Sequence, residues 1–269
     1  MTRYTLQKPS PTWLAAILLL AIGSVIAGCG SGTLSAGVGS GGTGSYTASL
    51  AASATEGYLI NAVVFLDTND NYQLDGNESY AVTGVDGTAT LKVTAADMAA
   101  YPVVAVAFKG ITIDSATMLP VATTYILSAP KGDTGATGST LINPISTQLR
   151  ELLETGRYSN LQQAMDALAG HMGLPADINL LAESIATTTP ALNAAAKSIA
   201  ALMWMQADRI MAPGGATPAV EVERYRTMMK LIEDNMTIVS RLNTPENLIN
   251  LNNNIEVVIE TIPKATTVP

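Results

Sequence analysis

The residues best suited to chemistry lie in one polar stretch, FLDTNDNYQLDGNES, which runs from Phe65 to Ser79. Oxygen-bearing side chains recur there at short intervals, so several of them can converge on one point. Counted from the first aspartate as position 1, positions 1, 3, 5, 9 and 12 are Asp67, Asn69, Asn71, Asp75 and Glu78. Calcium takes about six to eight hard oxygen ligands, which carboxylates, amides and backbone carbonyls supply. The spacing therefore predicts a calcium site.

This is also the spacing of the calcium loop of EF-hands, which uses a backbone carbonyl at its seventh position, here that of Gln73. The sixth position of such a loop is glycine because the turn is sharp, whereas this chain has Tyr72. A β-strand, not a helix, is predicted before Asp67, so we do not expect an EF-hand domain. The alternative is a metal-free turn in which Asp and Asn side chains bind their own backbone.

This part of the chain resembles the B-type, prealbumin-like repeats of bacterial surface proteins. The resemblance rests on Gly57, on AVVFLD ending at Asp67, on the loop to Glu78, and on TGVDG before the strand TATLKV. It covers roughly residues 57–93. In that family the loop residues bind calcium, which the resemblance implies for Asp67, Asn69, Asn71, Asp75 and Glu78.

The first residues are typical of an exported protein. Arg3 and Lys8 precede the apolar run WLAAILLLAI, and small residues follow, which predicts a signal peptide over residues 1–28. The segment VIAGC resembles the lipobox of bacterial lipoproteins and implies lipidation of Cys29, the single cysteine. Its lipid would attach the chain to the membrane. Gly30 follows, which implies the outer membrane under that family's sorting rule.

The next segments differ in composition and predict different structures. Residues 29–55 are rich in Gly, Ser and Thr, which predicts a flexible tether. Residues 56–129 hold short β-branched runs with frequent turn residues and no amphipathic helix between them. That pattern predicts an antiparallel β-sandwich, Ig-like or transthyretin-like. The glycine-rich residues 130–142 predict a linker.

From Asn143 onward, apolar residues recur with helical spacing. The predicted helices run from Ile145 to Leu153, Leu161 to Met172, Leu192 to Ile210, Met228 to Val239 and Pro245 to Ile262. The predicted fold is therefore α+β in two domains, an N-terminal antiparallel β-sandwich and a C-terminal α-helical bundle over residues 143–262. Residues 263–269 form a tail.

Several functions are disfavoured by composition. A formal net charge of −8 disfavours nucleic acid as a partner. His171 is the only histidine and lies near a predicted helix end, so we expect it to cap or pack and not to catalyse. Zinc sites built from His and Cys are excluded by the same counts. A hydrolase that uses scattered carboxylates ranks third among the hypotheses, and no catalytic residue is predicted.

We therefore expect a lipid-anchored cell-envelope protein with a structural calcium site. It would act as an adhesion-type surface module that meets an envelope or extracellular protein partner. The alternative is a lipoprotein that binds a small molecule or peptide in a methionine-lined groove of the helical domain. The methionines concerned are Met203, Met205, Met211, Met228, Met229 and Met236. Core packing at helical spacing is their expected role.

Overall fold

The computed structural model describes residues 44–50, 57–132, 139–182, 189–241 and 245–265. All of these residues belong to one compact unit, Gly41–Pro269. The predicted signal peptide (1–28), Cys29 and the first part of the predicted tether lie outside the described residues, as do residues 266–269 of the predicted tail.

Short strands follow one another closely between residues 44 and 142. In chain order they are β1 Gly44–Leu50, β2 Leu59–Ile60, β3 Val63–Leu66, β4 Tyr80–Val82, β5 Thr88–Val93, β6 Val103–Ala107, β7 Ile113–Asp114, β8 Leu119–Pro120, β9 Tyr125–Ala129 and β10 Ser139–Ile142. Two more strands, β11 Met211–Ala212 and β12 Ala219–Val220, form an antiparallel hairpin among the helices.

The sheet that carries the candidate loop has four strands in the order β4-β3-β6-β9 and is antiparallel throughout. Its register pairs Val64 with Ala105 and Phe65 with Val104. Every residue of β6 and β9 is buried, so both faces of this sheet are covered where these strands lie. A second antiparallel sheet has the order β2-β7-β8. The predicted antiparallel β structure is thus confirmed.

A third sheet uses segments that the sequence analysis expects to be irregular. Its order is β10-β1-β5, with β1 antiparallel to β5 and parallel to β10. β1 lies within the predicted tether and β10 within the predicted linker. The structure corrects both predictions at residues 44–50 and 139–142, which are paired strands. Backbone hydrogen bonds make such pairing possible for small and polar residues such as those of β1, GSYTASL.

Seven helices lie in the described ranges. They are α1 Ala95–Ala100, α2 Pro144–Glu154, α3 Leu161–His171, α4 Pro190–Ile210, α5 Val222–Asp234, α6 Met236–Val239 and α7 Pro245–Glu260. Asn143 caps α2 by accepting a hydrogen bond from the Ser146 N–H, and Asn160 caps α3 in the same way. The predicted helices of this half are present. Of the helices in the described ranges, none has the length and apolar character needed to cross a membrane.

Two local predictions need correction. Helix α1 lies between β5 and β6, where no helix is predicted; Thr94 and Asp97 start it by bonding to each other's backbone N–H groups in a capping box. The predicted helix from Met228 to Val239 is two helices that break at Asn235. There the Asn235 side-chain amide donates to the Leu231 carbonyl at 2.8 Å, and the backbone leaves the helical conformation.

Helix α2 joins the sheet to the other helices. It packs against β9 on one side and against α3, α4 and α5 on others. Ile145 and Leu149 of this helix are fully buried and belong to the same hydrophobic core as Val104 and Leu127 of the sheet. The chain is therefore an α+β protein whose sheets and helices share apolar contacts, and α2 is the helix that reaches the candidate loop.

Candidate functional site

The predicted calcium loop lies between β3 and β4 and is fixed at both ends. The Leu66 N–H donates to the Ser79 carbonyl at 3.1 Å, and the Asp67 N–H donates to the Pro102 carbonyl at 3.0 Å. Near the far end, the Glu78 N–H donates to the Asp75 carbonyl at 3.1 Å. The loop therefore leaves and re-enters the four-stranded sheet at defined points, which holds its six predicted ligand residues close together.

Asp67 makes the first turn of the loop. Its carboxylate is fully buried, with Oδ1 accepting from the Asn71 N–H at 3.1 Å and Oδ2 from the Tyr72 N–H at 3.2 Å. A carboxylate that accepts hydrogen bonds from backbone N–H groups four and five residues later makes the chain curl around it. The first predicted ligand thus organises the loop.

The remaining predicted ligands bond to one another and to the loop backbone. Asp75 Oδ2 accepts from the side-chain amides of Asn69 at 2.8 Å and Asn71 at 3.0 Å. The two carboxylate oxygens of Glu78 accept from the Thr68 N–H at 2.6 Å and the Asp75 N–H at 3.0 Å. The Gln73 N–H donates to Asn71 Oδ1 at 2.7 Å. The structure thus brings together the loop residues that the sequence analysis selected.

Tyr72, at the position of the EF-hand glycine, takes the conformation that glycine would favour. Its φ is 61°, in the left-handed region, where a non-glycine residue costs on the order of 1–3 kcal/mol. The side chain of this tyrosine explains why the turn nevertheless forms. The ring is fully buried, and its hydroxyl donates to Glu151 Oε1 at 2.5 Å. Burial and this hydrogen bond offset the backbone strain.

Arg150 of helix α2 binds the loop from the other side. Its Nη2 lies 2.8 Å from Asp67 Oδ2 and 3.2 Å from Asp70 Oδ1. The Arg150 side chain is 1% exposed and that of Asp67 0%, so the first pair is an ion pair buried away from water. The guanidinium carbon also lies 4.0 Å from the centroid of the Tyr72 ring, a cation–π contact.

Glu151 lies next to this ion pair in a cluster of charged and phenolic groups. Arg150, Glu154, Arg226 and the hydroxyls of Tyr72 and Tyr225 surround it. Burial, and then the charge of Glu154, raise the pKa of Glu151 to about 7, although the two arginines oppose this. Arg226 Nη2 binds Glu154 Oε2 at 2.6 Å and so compensates part of the negative charge of Glu154. The contact between the loop and helix α2 therefore includes a carboxyl group with a pKa near neutral pH.

Sequence reasoning finds the loop but misses its partners on the helix. Arg150 and Glu154 form an ion pair four residues apart, a spacing that local patterns do reveal. Nothing local indicates that Arg150 also reaches Asp67, 83 residues away. Thr217, whose Oγ1 accepts from the Leu74 N–H at 2.8 Å, is a second distant contact of the loop.

The donor set of the loop suits a hard cation in type. Carboxylates, side-chain amides and the Gln73 carbonyl all offer oxygen. In the present arrangement the amide nitrogens of Asn69 and Asn71 donate to Asp75. Turning the Asn69 amide about its last bond would present oxygen instead, whereas Asn71 Oδ1 accepts from the Gln73 N–H. Within the part of the chain that is described, no three His, Cys, Asp or Glu side chains are grouped to hold a metal ion. Calcium binding stays a prediction.

His171 and the methionines, which the sequence analysis also selected, can be placed in the fold. The side chain of His171 is 45% exposed, and its Nδ1 lies 3.9 Å from Glu233 Oε1. Four of the six methionines are core residues with at most 1% exposure: Met203, Met228, Met229 and Met236. These four fill the space between helices, as expected from their spacing, and do not line a groove.

Comparisons with known proteins add no relative: no protein-family model, no curated protein and no solved structure matches this chain. The interpretation of the loop therefore depends on its own contacts.

The raised pKa of Glu151 predicts a pH-dependent contribution to stability. The folded state holds this proton more tightly than the unfolded state, whose value is near 4.5, so the contribution is complete below about pH 4.5 and is lost as pH rises through about 7. Glu151→Gln keeps an oxygen acceptor for the Tyr72 hydroxyl. Its free energy of unfolding, relative to that of wild type, should therefore be higher at about pH 8 than at about pH 5.

Chemical denaturation of the two proteins at both pH values measures this difference. Glu246→Gln, in an exposed position of α7, is the control and should show no such change with pH. The same offset between Glu151→Gln and wild type at both pH values would show that Glu151 does not titrate in this window.

Proposed function

We propose that this chain is a lipid-anchored protein of the bacterial cell envelope that acts as a structural and interaction module, attached through Cys29. The lipobox-like segment VIAGC and the single cysteine support the anchor. A tether over the residues before β1 would hold the folded unit away from the lipid surface. Its partner would be another envelope or extracellular protein, and the outer membrane is the location that Gly30 favours.

One observation carries the structural role: the first acid of the loop is used to join two parts of the fold. Asp67 is fully buried, turns the loop through two backbone N–H groups, and forms a buried ion pair with Arg150. A carboxylate with these partners is held in a fixed position. The loop is thus suited to fastening the sheet to helix α2.

We further propose a sandwich-like β region and a helical bundle as the two modules that this loop fastens together. The β strands before residue 130 and the helices after residue 143 support this division. Helix α2 contacts strand β9 as well as helices α3, α4 and α5, which supports a role at the connection between them. The loop contacts at Arg150 and at Thr217 reach the helical half.

A calcium ion in the loop would be structural. Asp67, Asn69, Asn71, Asp75 and Glu78 would supply side-chain oxygens, and Gln73 its carbonyl. The ion would neutralise three carboxylates that are now satisfied by hydrogen-bond donors. Arg150 already lies on Asp67 Oδ2 and repels a second cation, which favours weak binding. A dissociation constant on the order of 10⁻⁴–10⁻³ M, usual for extracellular modules, is expected.

Lipid attachment at Cys29 predicts a specific loss of labelling. In bacterial cells supplied with labelled palmitate, the wild-type chain should take up label and sediment with membranes. Cys29→Ser removes the thiol that carries the lipid, so it should take up no label. Ser31→Ala is the matched control and should behave as wild type. Label on Cys29→Ser, or none on the wild type, would contradict the anchor.

Calcium binding predicts a higher melting temperature of the full chain in calcium than in chelator. A ligand that binds only the folded state at about 10 mM, with the affinity above, adds roughly 1–3 kcal/mol to the free energy of unfolding. Asp75→Asn removes one ligand charge and leaves the Asp67–Arg150 pair in place, so it should abolish most of the calcium response.

Asp86→Asn, in the next turn of the chain, should keep the full response. Calorimetry of the three proteins with calcium, magnesium and chelator checks this. Superimposable melting curves for wild type with calcium and with chelator would mean that the loop is a metal-free turn.

A further inference from the structure

A cavity of about 240 Å³ lies beside the β7–β8 hairpin, away from the candidate calcium loop. Its walls include Asp114, Leu119, Pro120 and Tyr125 from the β region and Trp204 from helix α4. Leu119 is 64% exposed and Trp204 44% exposed, so the cavity opens to solvent. It is smaller than pockets for drug-sized ligands, which measure about 300–1,000 Å³, and so suits a molecule of few atoms.

The hydroxyl of Tyr125, a residue that lines this cavity, indicates that a hydrogen-bonding group is missing there. Tyr125 is 2% exposed, and its hydroxyl has no hydrogen-bond partner within the described ranges. Leaving a buried polar group unsatisfied costs on the order of 1–3 kcal/mol, so such groups are rare without a reason. Because Tyr125 also lines the cavity, a group bound there can supply the partner.

Charge and ring geometry indicate what kind of group that is. The rings of Tyr125 and Trp204 both border the cavity, and their centroids lie 5.5 Å apart at an angle of 55°. The Asp114 carboxylate is fixed by accepting from the Ala116 N–H at 2.8 Å. Burial first, and then the charge of Asp114, raise the pKa of Tyr125, so this carboxylate acts on the hydroxyl and the hydroxyl stays neutral.

We propose that this cavity binds a small organic cation, an ammonium group on a short apolar chain. The ammonium N–H groups would donate to Asp114 and to the Tyr125 oxygen, while the aromatic faces attract the positive charge. The apolar chain would lie against Leu119 and Pro120. Asp114 is the one charged residue among the described lining residues, so an anion is repelled there. A neutral alkyl group would leave the charge of Asp114 uncompensated.

Tryptophan fluorescence measures this binding directly. The chain has two tryptophans, Trp13 and Trp204, so the full chain with Trp13→Phe, kept in nonionic detergent, reports on the cavity alone. Butylammonium should change the fluorescence with saturation at a dissociation constant on the order of 1 mM. Butan-1-ol has the same number of heavy atoms without the charge, and butyrate has the opposite charge; neither should saturate.

Variants in the same Trp13→Phe background assign the response to the proposed groups. Asp114→Asn keeps an acceptor for the Ala116 N–H but removes the charge, and should weaken butylammonium binding about tenfold or more. Tyr125→Phe removes only the unpartnered hydroxyl, so it should weaken binding several-fold while the melting temperature stays the same or rises. That combination is not expected of a hydroxyl with a purely structural role.

Tyr225→Phe is the matched control, because the Tyr225 hydroxyl is also buried without a partner in the described part of the chain but lies outside this cavity. It should bind butylammonium as the parent does. The proposal is overturned by equal saturation with butan-1-ol, by unchanged affinity in Asp114→Asn with a folded protein, or by no saturable response of the parent to butylammonium.

Discussion

The buried ion pair between Asp67 and Arg150 is the constraint around which this structure is arranged. Each charge loses its hydration on burial, and each compensates part of that loss for the other. The pair joins the end of β3 to helix α2 through two residues that are 83 positions apart in the chain. Once Arg150 is buried, the neighbouring acids Asp70, Glu151 and Glu154 gather around it, and the loop has a fixed position against the helix.

Tyr72 shows how a calcium-type loop can keep its turn without glycine. The residue adopts a left-handed φ of 61°, which glycine adopts at little cost and tyrosine does not. Its ring gains burial between Arg150 and Tyr225, and its hydroxyl gains Glu151 as a partner. A glycine could supply the turn but none of these contacts. With tyrosine at this position the loop has a more strained backbone but is attached to the helices. This attachment fits a fastening role with or without a bound ion.

Local sequence patterns predict a large part of this fold, because the elements concerned are built from local spacing. The strand before Asp67, the loop itself and the helical runs after Asn143 all follow from periodicity and turn residues. Strand β1 does not, since GSYTASL has no alternation of large apolar side chains and pairs through its backbone. Helix α1 carries a signal, the Thr94 to Asp97 capping box, that a search for apolar periodicity passes over. The role of Arg150 depends on a contact far along the chain, which no local pattern contains.

A double-mutant cycle on Asp67 and Arg150 tests the central claim most directly. The free energy of unfolding would be measured in urea, with chelator present, for wild type, Asp67→Asn, Arg150→Met and the double variant. Breaking a buried pair from one side leaves the other charge uncompensated at a cost of about 3–5 kcal/mol, whereas removing both charges avoids that penalty. We predict a coupling energy of at least about 2 kcal/mol, and a value below about 0.5 kcal/mol would contradict the account.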